Sequence, residues 1–265
     1  MKPIVLFDMD GTLTEPRKNM NPEMLASLIQ LSEFCDLGIV TGSSLGYIKQ
    51  QCRLLIDNVD KLHSRLDLYP CNGTQAYKVS SKKEINCVHT CDIRDELGPG
   101  FNDVVMHLLH LQVDFLSEFG KDITTTGTFI QYRKSMINWC PVGRDSDHDI
   151  RSKFSELDKS KRVREAMVTR LREKNSFKNW GLEISLGGST SIDIYPAGWD
   201  KRYVLKHVHQ PDRKIYFVGD RCTGDGNDRL LYEKLLPEKT AFKTESPSQT
   251  KEIIANITNL ENSKS

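Results

Sequence analysis

The sequence has no hydrophobic run long enough to cross a bilayer. Its longest apolar stretches, such as Ile4 to Phe7, span only a handful of residues, whereas a transmembrane helix needs about 20. No apolar segment of the kind that marks a secretory signal follows Met1-Lys2-Pro3. We therefore expect a protein that neither spans a membrane nor carries a secretory signal.

The chain also has almost no net charge and no closely paired cysteines. The 37 Lys and Arg residues against 36 Asp and Glu residues give a net charge of +1, so no bulk positive charge points to nucleic acid as a partner. The seven cysteines are scattered, odd in number and contain no C-x-x-C pair. This pattern favours free thiols over disulfides or a structural zinc site. Free thiols are typical of a reducing compartment, and we therefore expect a cytoplasmic protein.

The remaining composition is typical of a folded globular protein, with 265 residues, 38% of them hydrophobic and 28% charged. The apolar runs Ile4 to Phe7, Leu37 to Val40 and Ile215 to Val218 predict buried strands. Helices are predicted after each of them, the first beginning at Asn21-Pro22 with an N-cap and an N1 proline, and the second covering about Leu45 to Leu55. Strands that alternate with helices indicate a Rossmann-like parallel α/β sheet.

The middle of the chain follows a different pattern. After a helix over about Phe101 to Phe119, four strand-like runs alternate in polarity, and a charged helix over about Glu156 to Lys174 separates the second run from the third. The four runs are Thr128 to Tyr132, Met136 to Val142, Leu182 to Leu186 and Ser191 to Tyr195. We predict an α+β insert with an antiparallel sheet over residues 85–195, within an α/β core of residues 1–84 and 196–265.

Polar side chains follow the predicted parallel strands, at the edge where such sheets bind ligands. Asp8 and Asp10 are two residues apart, so both can face one crevice, and Asp220 ends another strand. Carboxylates placed together suit Mg²⁺ and a phosphate. Thr41 or Ser43 at a third strand end, and Lys201 before a helix, could hydrogen-bond and neutralise a transferring phosphoryl group.

An Asp before Gly is by itself commonly a turn residue, but the ordered set of motifs is more specific. In chain order the motifs are Asp8-Met9-Asp10-Gly11-Thr12-Leu13-Thr14, Thr41-Gly42-Ser43, Lys201, Gly219-Asp220 and Gly226-Asn227-Asp228. This order resembles the haloacid dehalogenase superfamily of phosphotransferases. The resemblance implies that Asp8 is the nucleophile that becomes an aspartyl phosphate, that Asp10 is the general acid and base, and that Lys201 is catalytic. The candidate metal residues are Asp8, Asp10, Asp220 and Asp228, with Mg²⁺ as cofactor.

Within the insert, the motifs resemble the cap of eukaryotic-type phosphomannomutases. They are Gly127 to Arg133, Met136 to Asn138, Pro141 to Arg144, Phe154 to Asp158 and Ser191 to Pro196, continuing to Gly198 to Tyr203. In that family, cap arginines clamp the phosphate that is not reacting, because the guanidinium fork meets phosphate oxygens in pairs. The resemblance assigns the clamp to Arg133, Arg144 and Arg151, with Arg17 from the core, and sugar-hydroxyl binding to Ser191 and Asp193.

An alternative for these arginines is a solvated basic face, because the neighbouring stretch Lys159 to Arg164 is interpreted as surface charge. The phosphomannomutase resemblance implies interconversion of mannose 6-phosphate and mannose 1-phosphate, which supplies GDP-mannose synthesis. It also implies hexose 1,6-bisphosphate as activator and a homodimer joined through the cap. A Mg²⁺-dependent sugar-phosphate phosphatase is the alternative enzyme, and a catalytically silent scaffold is disfavoured by the intact acidic motifs.

The chain departs from the family pattern at several points. It has Thr41-Gly42-Ser43-Ser44 where the family has Gly-Gly-Ser-Asp, and Cys71-Asn72-Gly73 where an acidic residue usually precedes Asn-Gly. Beyond Tyr232, Lys234 stands near the position of an Asp in the family's second cation loop, and a lysine cannot ligate a cation. Lys234 therefore predicts that the second structural ion is absent, and the departures together keep a reduced, altered or phosphatase-shifted activity open.

Overall fold

A computed structural model describes residues 1–264 of the chain. The chain divides into two compact units. The core unit consists of Met1–Thr90 together with the chain from Gly198 onward, and the insert unit consists of Cys91–Ala197. None of the described helices is both long and apolar enough to span a membrane.

The regular elements alternate between strands and helices at both ends of the chain. The first part of the core unit contains β1 (Ile4–Phe7), α1 (Pro22–Ser32), β2 (Asp36–Val40), α2 (Leu45–Gln51), α3 (Arg53–Asp57), β3 (Leu66–Tyr69), β4 (Gln75–Val79) and β5 (Ile85–Thr90). The insert unit contains α4 (Ile93–Leu97), α5 (Gly100–Phe119), β6 (Ile130–Tyr132), β7 (Ile137–Trp139), α6 (His148–Lys161), α7 (Val163–Glu173), α8 (Asn175–Asn179), β8 (Leu182–Gly187) and β9 (Ser191–Pro196). The core unit then resumes with α9 (Leu205–Val208), β10 (Ile215–Gly219), α10 (Arg229–Leu235), β11 (Ala241–Lys243) and α11 (Pro247–Asn262).

The core unit is built on a seven-stranded sheet with the order β11-β10-β1-β2-β3-β4-β5. The pairs from β11 to β3 are parallel, whereas β4 is antiparallel to both β3 and β5. Because β1 lies between β10 and β2, the carboxyl ends of three parallel strands meet at one edge. This is the edge where parallel sheets bind ligands.

Apolar side chains on both faces of β1 hold this sheet between helices. Val5 and Phe7 belong to a cluster that includes residues of α1, α2, α3 and α11, whereas Ile4 and Leu6 pack with residues of α10 and with Val204. All four side chains of β1 are buried, which is why the strand is apolar without alternation. The side chain of Asn21 accepts a hydrogen bond from the Met24 amide at 2.8 Å and caps α1 as predicted.

The insert unit has a four-stranded antiparallel sheet with the order β6-β7-β9-β8. One face carries buried apolar residues, among them Ile137, Trp139 and Ile194. The indole of Trp139 donates to Gln112 on α5 at 2.8 Å, so α5 packs on this face of the sheet. The predicted fold class, a mainly parallel α/β core with an α+β insert that holds an antiparallel sheet, is confirmed by these two sheets.

Several element boundaries differ from the sequence prediction. The strand Ile85–Thr90 pairs with β4 in the larger sheet, so the core unit extends to Thr90 and not to residue 84. The predicted helix Leu45 to Leu55 is two helices that meet at Cys52. The predicted helix Glu156 to Lys174 is also two helices, because Arg162 adopts a left-handed conformation between them, with φ 52°.

Candidate active site

Asp8 lies at the carboxyl end of β1, next to a buried lysine. Its amide donates to the Val218 carbonyl at 2.9 Å and so continues the ladder between β1 and β10. Lys201 begins a short 3₁₀ turn, Lys201–Val204, and its fully buried ammonium donates hydrogen bonds to the carboxylates of Asp8 and Asp228. The core unit thus places the predicted nucleophile and the predicted catalytic lysine in direct contact.

The carboxylates of Asp8, Asp220 and Asp228 converge. One oxygen from each lies within 4.8 Å of the others. The Oδ1 atom of Asp220 is buried and has no hydrogen-bond partner, an arrangement that is costly unless a ligand satisfies the oxygen. Hard divalent cations are bound by carboxylate oxygens. These three residues therefore fit a Mg²⁺ ion.

The electrostatics of this cluster also favour a cation. Burial raises the pKa of Asp8 to about 8; Lys201 opposes this shift, and the charges of Asp228 and Asp220 add to it. Burial, together with the Asp228 charge, raises the pKa of Asp220 to about 6. At Lys201 burial disfavours the ammonium, but Asp228 and Asp8 outweigh it and raise the pKa. A single ammonium faces three carboxylates, so a divalent cation would compensate the excess charge and keep Asp8 ionised at neutral pH.

The carboxylate of Asp10 has a separate environment. It is not among the three converging carboxylates, although the sequence analysis included it in the metal set. Its Oδ1 instead accepts a hydrogen bond from the backbone amide of Arg17 at 2.9 Å. The side chain of Arg17 is exposed, and its backbone has a φ of 62°. The amide contact fixes the orientation of this carboxylate, two residues beyond Asp8.

Gly11 makes possible the turn that follows Asp8 and Asp10. Its amide donates to the Thr14 carbonyl at 2.7 Å, and its φ of +83° lies in the left-handed region that favours glycine. A Cβ atom at this position would overlap the carboxylate of Asp220. The hydroxyl of Thr12, in the same turn, is buried and has no hydrogen-bond partner.

Replacing Gly11 with alanine should therefore disturb the metal site more than the fold. We expect Gly11→Ala to weaken Mg²⁺ binding roughly 10- to 100-fold, because the new methyl group displaces Asp220. Gly181→Ala is the matched control, since Gly181 also has a positive φ, +59°, but has nothing within 4 Å of the added atom. Titration calorimetry with Mg²⁺ on both variants checks this. Equal losses in the two variants would mean that backbone strain alone is responsible.

Thr41 and Ser43 follow β2 at the same edge of the sheet. Thr41 is buried, and its hydroxyl accepts a hydrogen bond from the Ser43 amide at 3.1 Å. The loop Cys71–Gly73 is tied to both residues, since the amide of Asn72 donates to the Thr41 carbonyl at 2.8 Å and that of Cys71 to the Ser43 carbonyl at 3.0 Å. The buried Oδ1 of Asn72 has no partner. Asn72 is therefore a polar residue of this edge to which the sequence analysis gave no role.

In the insert unit, two of the predicted clamp arginines donate hydrogen bonds to carboxamide side chains. The Nε of Arg133 donates to Gln131 at 2.8 Å, and the Nη1 of Arg144 donates to Asn138 at 2.7 Å. Asn138 also donates to the carboxylate of Asp193 at 2.6 Å. The predicted phosphate-binding Arg144 and the predicted sugar-binding Asp193 therefore share one intermediate residue.

The other predicted insert residues lie on neighbouring elements. Arg151 is half-buried in α6, and Ser191 begins β9 and is buried. The carbonyl of Ser191 accepts a hydrogen bond from Arg164 at 3.2 Å, and Arg164 pairs with Asp158 at 2.7 Å. Arg164 is thus buried, and the prediction that Lys159 to Arg164 is surface charge was wrong at this residue. The sequence gives no sign that Arg164 forms an ion pair with Asp158, six residues earlier in the chain.

Comparison with known proteins assigns the chain to a family. The sequence profile of the eukaryotic phosphomannomutases matches residues 24–260. The phosphomannomutase of Schizosaccharomyces pombe is 36% identical over 262 residues, which cover 98% of this chain and 95% of the relative. That of Spinacia oleracea is 35% identical over 93% of this chain and 92% of the relative.

The chain belongs to the eukaryotic phosphomannomutase family. It is accordingly an enzyme of the isomerase class, as the sequence motifs predicted. Among solved structures, an IMP-bound Plasmodium falciparum IMP-nucleotidase matches with a TM-score of 0.60 at 16% identity, covering 97% of this chain and 68% of that one. The C-terminal domain of a Candida albicans trehalose-6-phosphate phosphatase matches with 0.58 at 14% identity, covering 98% and 93%. At such identities the likeness shows the fold alone, which is the haloacid dehalogenase fold.

The phosphomannomutase family, the haloacid dehalogenase fold and the acidic cluster together indicate a metal-dependent enzyme. The roles of individual residues rest on the geometry given above. For Asn72 a signal was present in the sequence, because Asn before Gly favours a turn at a strand end. Asn138 lies in one of the motifs, but the sequence gave no indication of its two partners, which come from a loop and from another strand.

Proposed function

We propose that the chain interconverts mannose 6-phosphate and mannose 1-phosphate by phosphoryl transfer through Asp8. The observation that carries this proposal is the buried Asp8 carboxylate, which contacts Lys201 and lies beside Asp220 and Asp228. A carboxylate attacks a dianionic phosphate only when nearby cations offset the repulsion. Lys201 supplies one such charge, and a Mg²⁺ ion held by the three carboxylates would supply the other by neutralising phosphate oxygens.

In the first half-reaction, a carboxylate oxygen of Asp8 attacks the phosphorus of hexose 1,6-bisphosphate. The bond between phosphorus and the sugar oxygen breaks, and Asp10 donates a proton to that oxygen. In the second half-reaction, Asp10 accepts a proton from the hydroxyl of a sugar monophosphate, whose oxygen takes the phosphoryl group from Asp8. Two easier steps replace one difficult one, and the bisphosphate is regenerated.

Interconversion also requires that each end of the sugar can be the reacting one. The phosphate that is not reacting needs its own binding group, and Arg133, Arg144 and Arg151, with Arg17, are the proposed clamp. Ser191 and Asp193 are proposed to bind sugar hydroxyls. The product mannose 1-phosphate would supply GDP-mannose synthesis in the cytoplasm, the location that the scattered, odd-numbered cysteines of the sequence favour.

Phosphorus NMR tests the reaction itself. The protein is mixed with mannose 1-phosphate, Mg²⁺ and a catalytic amount of glucose 1,6-bisphosphate. We expect the mannose 6-phosphate signal to grow while inorganic phosphate stays low. Phosphate release without mannose 6-phosphate would identify a sugar-phosphate phosphatase and contradict the proposal.

We also propose that two copies pair through the insert unit, as the phosphomannomutase resemblance implies. Helix α5 supports this, because Met106, Leu109, Val113 and Leu116 follow one another at helical spacings and all have exposed side chains. Val113, at 60%, is the most exposed of the four. An exposed apolar stripe on one helix face is typical of a surface that another protein covers.

Val113→Lys should separate the two copies, because a two-fold interface would bring the new charges together. Light scattering at micromolar concentration is expected to show a dimer for the wild type and a monomer for this variant. Glu118→Lys is the matched control, since it adds the same side chain five residues further along the helix, away from the apolar stripe. A monomeric wild type would contradict the dimer, and a monomeric control would mean that the effect is not specific to the stripe.

A further inference from the structure

A row of polar residues crosses the sheet of the insert unit. Gln131 on β6 is in register with Asn138 on β7, Asn138 with Asp193 on β9, and Asp193 with Ser185 on β8. Residues in register on antiparallel strands lie on the same face of a sheet. The opposite face carries the buried apolar side chains of this unit, including Ile137. The row therefore lies on the face that does not pack against the apolar core.

Asn138 occupies the second place in this row and is the most buried member, with 2% exposure. Its Oδ1 accepts from Arg144 and its Nδ2 donates to Asp193. A guanidinium can only donate and an ionised carboxylate can only accept, so these two partners fix the orientation of the amide. A carboxamide is a neutral group that can serve both partners at once.

This arrangement keeps two opposite charges apart. Among the residues that the structure describes, Asn138 is the only side chain that accepts a hydrogen bond from the Arg144 guanidinium. A direct ion pair between Arg144 and Asp193 would occupy the donors and acceptors that a ligand needs. With the amide between them, the guanidinium retains most of its donors, and Asp193 retains its second oxygen.

Gly187 provides room for that second oxygen. A Cβ at Gly187 would lie 2.6 Å from Oδ2 of Asp193 and 2.8 Å from its Cγ, and real Cβ atoms do not approach that closely. The carboxylate of Asp193 is therefore held by Asn138 on one side and accommodated by a glycine on the other. The hydrogen bond from Asn138 thus holds Asp193 in a position that only a glycine at 187 leaves open.

We propose that Asn138 is a positioning residue, which holds Arg144 and Asp193 ready for one sugar phosphate. This inference rests on the proposed function, in which Arg144 binds the phosphate and Asp193 a sugar hydroxyl. Groups fixed before binding lose less conformational freedom when the ligand arrives, so affinity depends on the residue that fixes them. Asn138 itself is buried and need not touch the ligand.

The test is direct binding of mannose 1-phosphate, measured by titration calorimetry. Asn138→Leu should raise the dissociation constant roughly 10- to 100-fold, since two charge-assisted hydrogen bonds are lost. Gln112→Leu is the matched control, because Gln112 is also a carboxamide, 4% exposed, with one acceptor and one donor bond, to Trp139 and to the Pro141 carbonyl. It contacts neither Arg144 nor Asp193, so it should change the melting temperature but not the affinity. Equal losses of affinity in the two variants would overturn the proposal.

A double-mutant cycle shows whether Asn138 acts through Arg144. In an Arg144→Ala background, Asn138→Leu should weaken binding by a smaller factor than in the wild type. Gln112→Leu should leave the affinity unchanged in both backgrounds. Fully additive losses from Asn138→Leu and Arg144→Ala would contradict a positioning role.

Asn138→Asp gives a second readout that a purely structural role would not change. Because aspartate is nearly isosteric with asparagine, this variant also serves if the leucine variant fails to fold. The new carboxylate can accept from Arg144 but cannot donate to Asp193, and it places two like charges side by side. Lowering the pH should bring the affinity of this variant closer to that of the wild type measured at the same pH, because a protonated carboxyl can donate as the amide does. An affinity ratio independent of pH would contradict the proposal. Wild-type protein that binds no sugar phosphate would overturn the proposed function instead.

Discussion

Asp8→Asn is expected to abolish turnover while the protein remains folded. An amide is a poor nucleophile and a weak ligand for Mg²⁺, yet its oxygen can still accept a hydrogen bond from Lys201. The burial that raises the pKa of Asp8 also means that a neutral side chain is tolerated at this place. Steady-state assays should show no mutase activity above background, with a melting temperature close to that of the wild type.

Asp10→Asn is the comparison that separates the two carboxylates. This variant retains the nucleophile and the three converging carboxylates, so it should still form the phosphoenzyme, but more slowly because the leaving oxygen is no longer protonated by Asp10. Loss of the proton carrier should reduce turnover by about 10²–10⁴-fold. Measurable turnover in Asp8→Asn, or near-normal turnover in Asp10→Asn, would remove the corresponding residue from the mechanism.

Lys201→Met should have the largest effect on stability. Lys201 is fully buried between Asp8 and Asp228, and a methionine has a similar length but no charge. Removing one partner from a buried ionic cluster typically costs roughly 3–5 kcal/mol, because uncompensated charges remain. Turnover should also fall, on the order of 10²–10³-fold, since a cation beside the transferring phosphoryl group is lost.

The response of the melting temperature to divalent cations tests this explanation of the Lys201→Met effect. If the lost stability reflects uncompensated carboxylates, Mg²⁺ should raise the melting temperature of Lys201→Met more than that of the wild type. Lys251→Met is the control, because Lys251 pairs with the exposed Glu23 and surface pairs contribute about 0–1 kcal/mol. An equal response of Lys201→Met and wild type to Mg²⁺ would contradict the charge argument.

The sequence predicted the parts of the fold in which apolar runs stop abruptly at polar residues. β1 has the predicted bounds, and the residues that follow it and β10 include Asp8 and Asp220, whose carboxylates converge as the strand-end argument requires. The parallel sheet explains this success, since strands buried on both faces have a strong and local pattern. The strand-end residues could therefore be identified without knowing any long-range contact.

The errors arose where the pattern is weak or where partners are distant. β5 is mostly exposed and carries Asn86, Cys87 and His89, so nothing in its composition shows that it belongs to the larger sheet. The break at Arg162 has neither Gly nor Pro to mark it. The role of Asn138 depends on strand register, which is a property of the folded sheet and not of the local sequence.

Phosphoryl transfer from Asp8 to a sugar is the central claim, and a single-turnover experiment with labelled hexose 1,6-bisphosphate tests it most directly. The enzyme is mixed with the labelled compound, and one part is reduced with borohydride, which converts an aspartyl phosphate to homoserine. The other part is mixed with unlabelled mannose 6-phosphate. In the reduced part, we predict homoserine at position 8 in the tryptic peptide of residues 1–17. In the other part, we predict that the phosphorus label is transferred to the added mannose 6-phosphate. Homoserine at another position, or label released only as inorganic phosphate, would contradict the account.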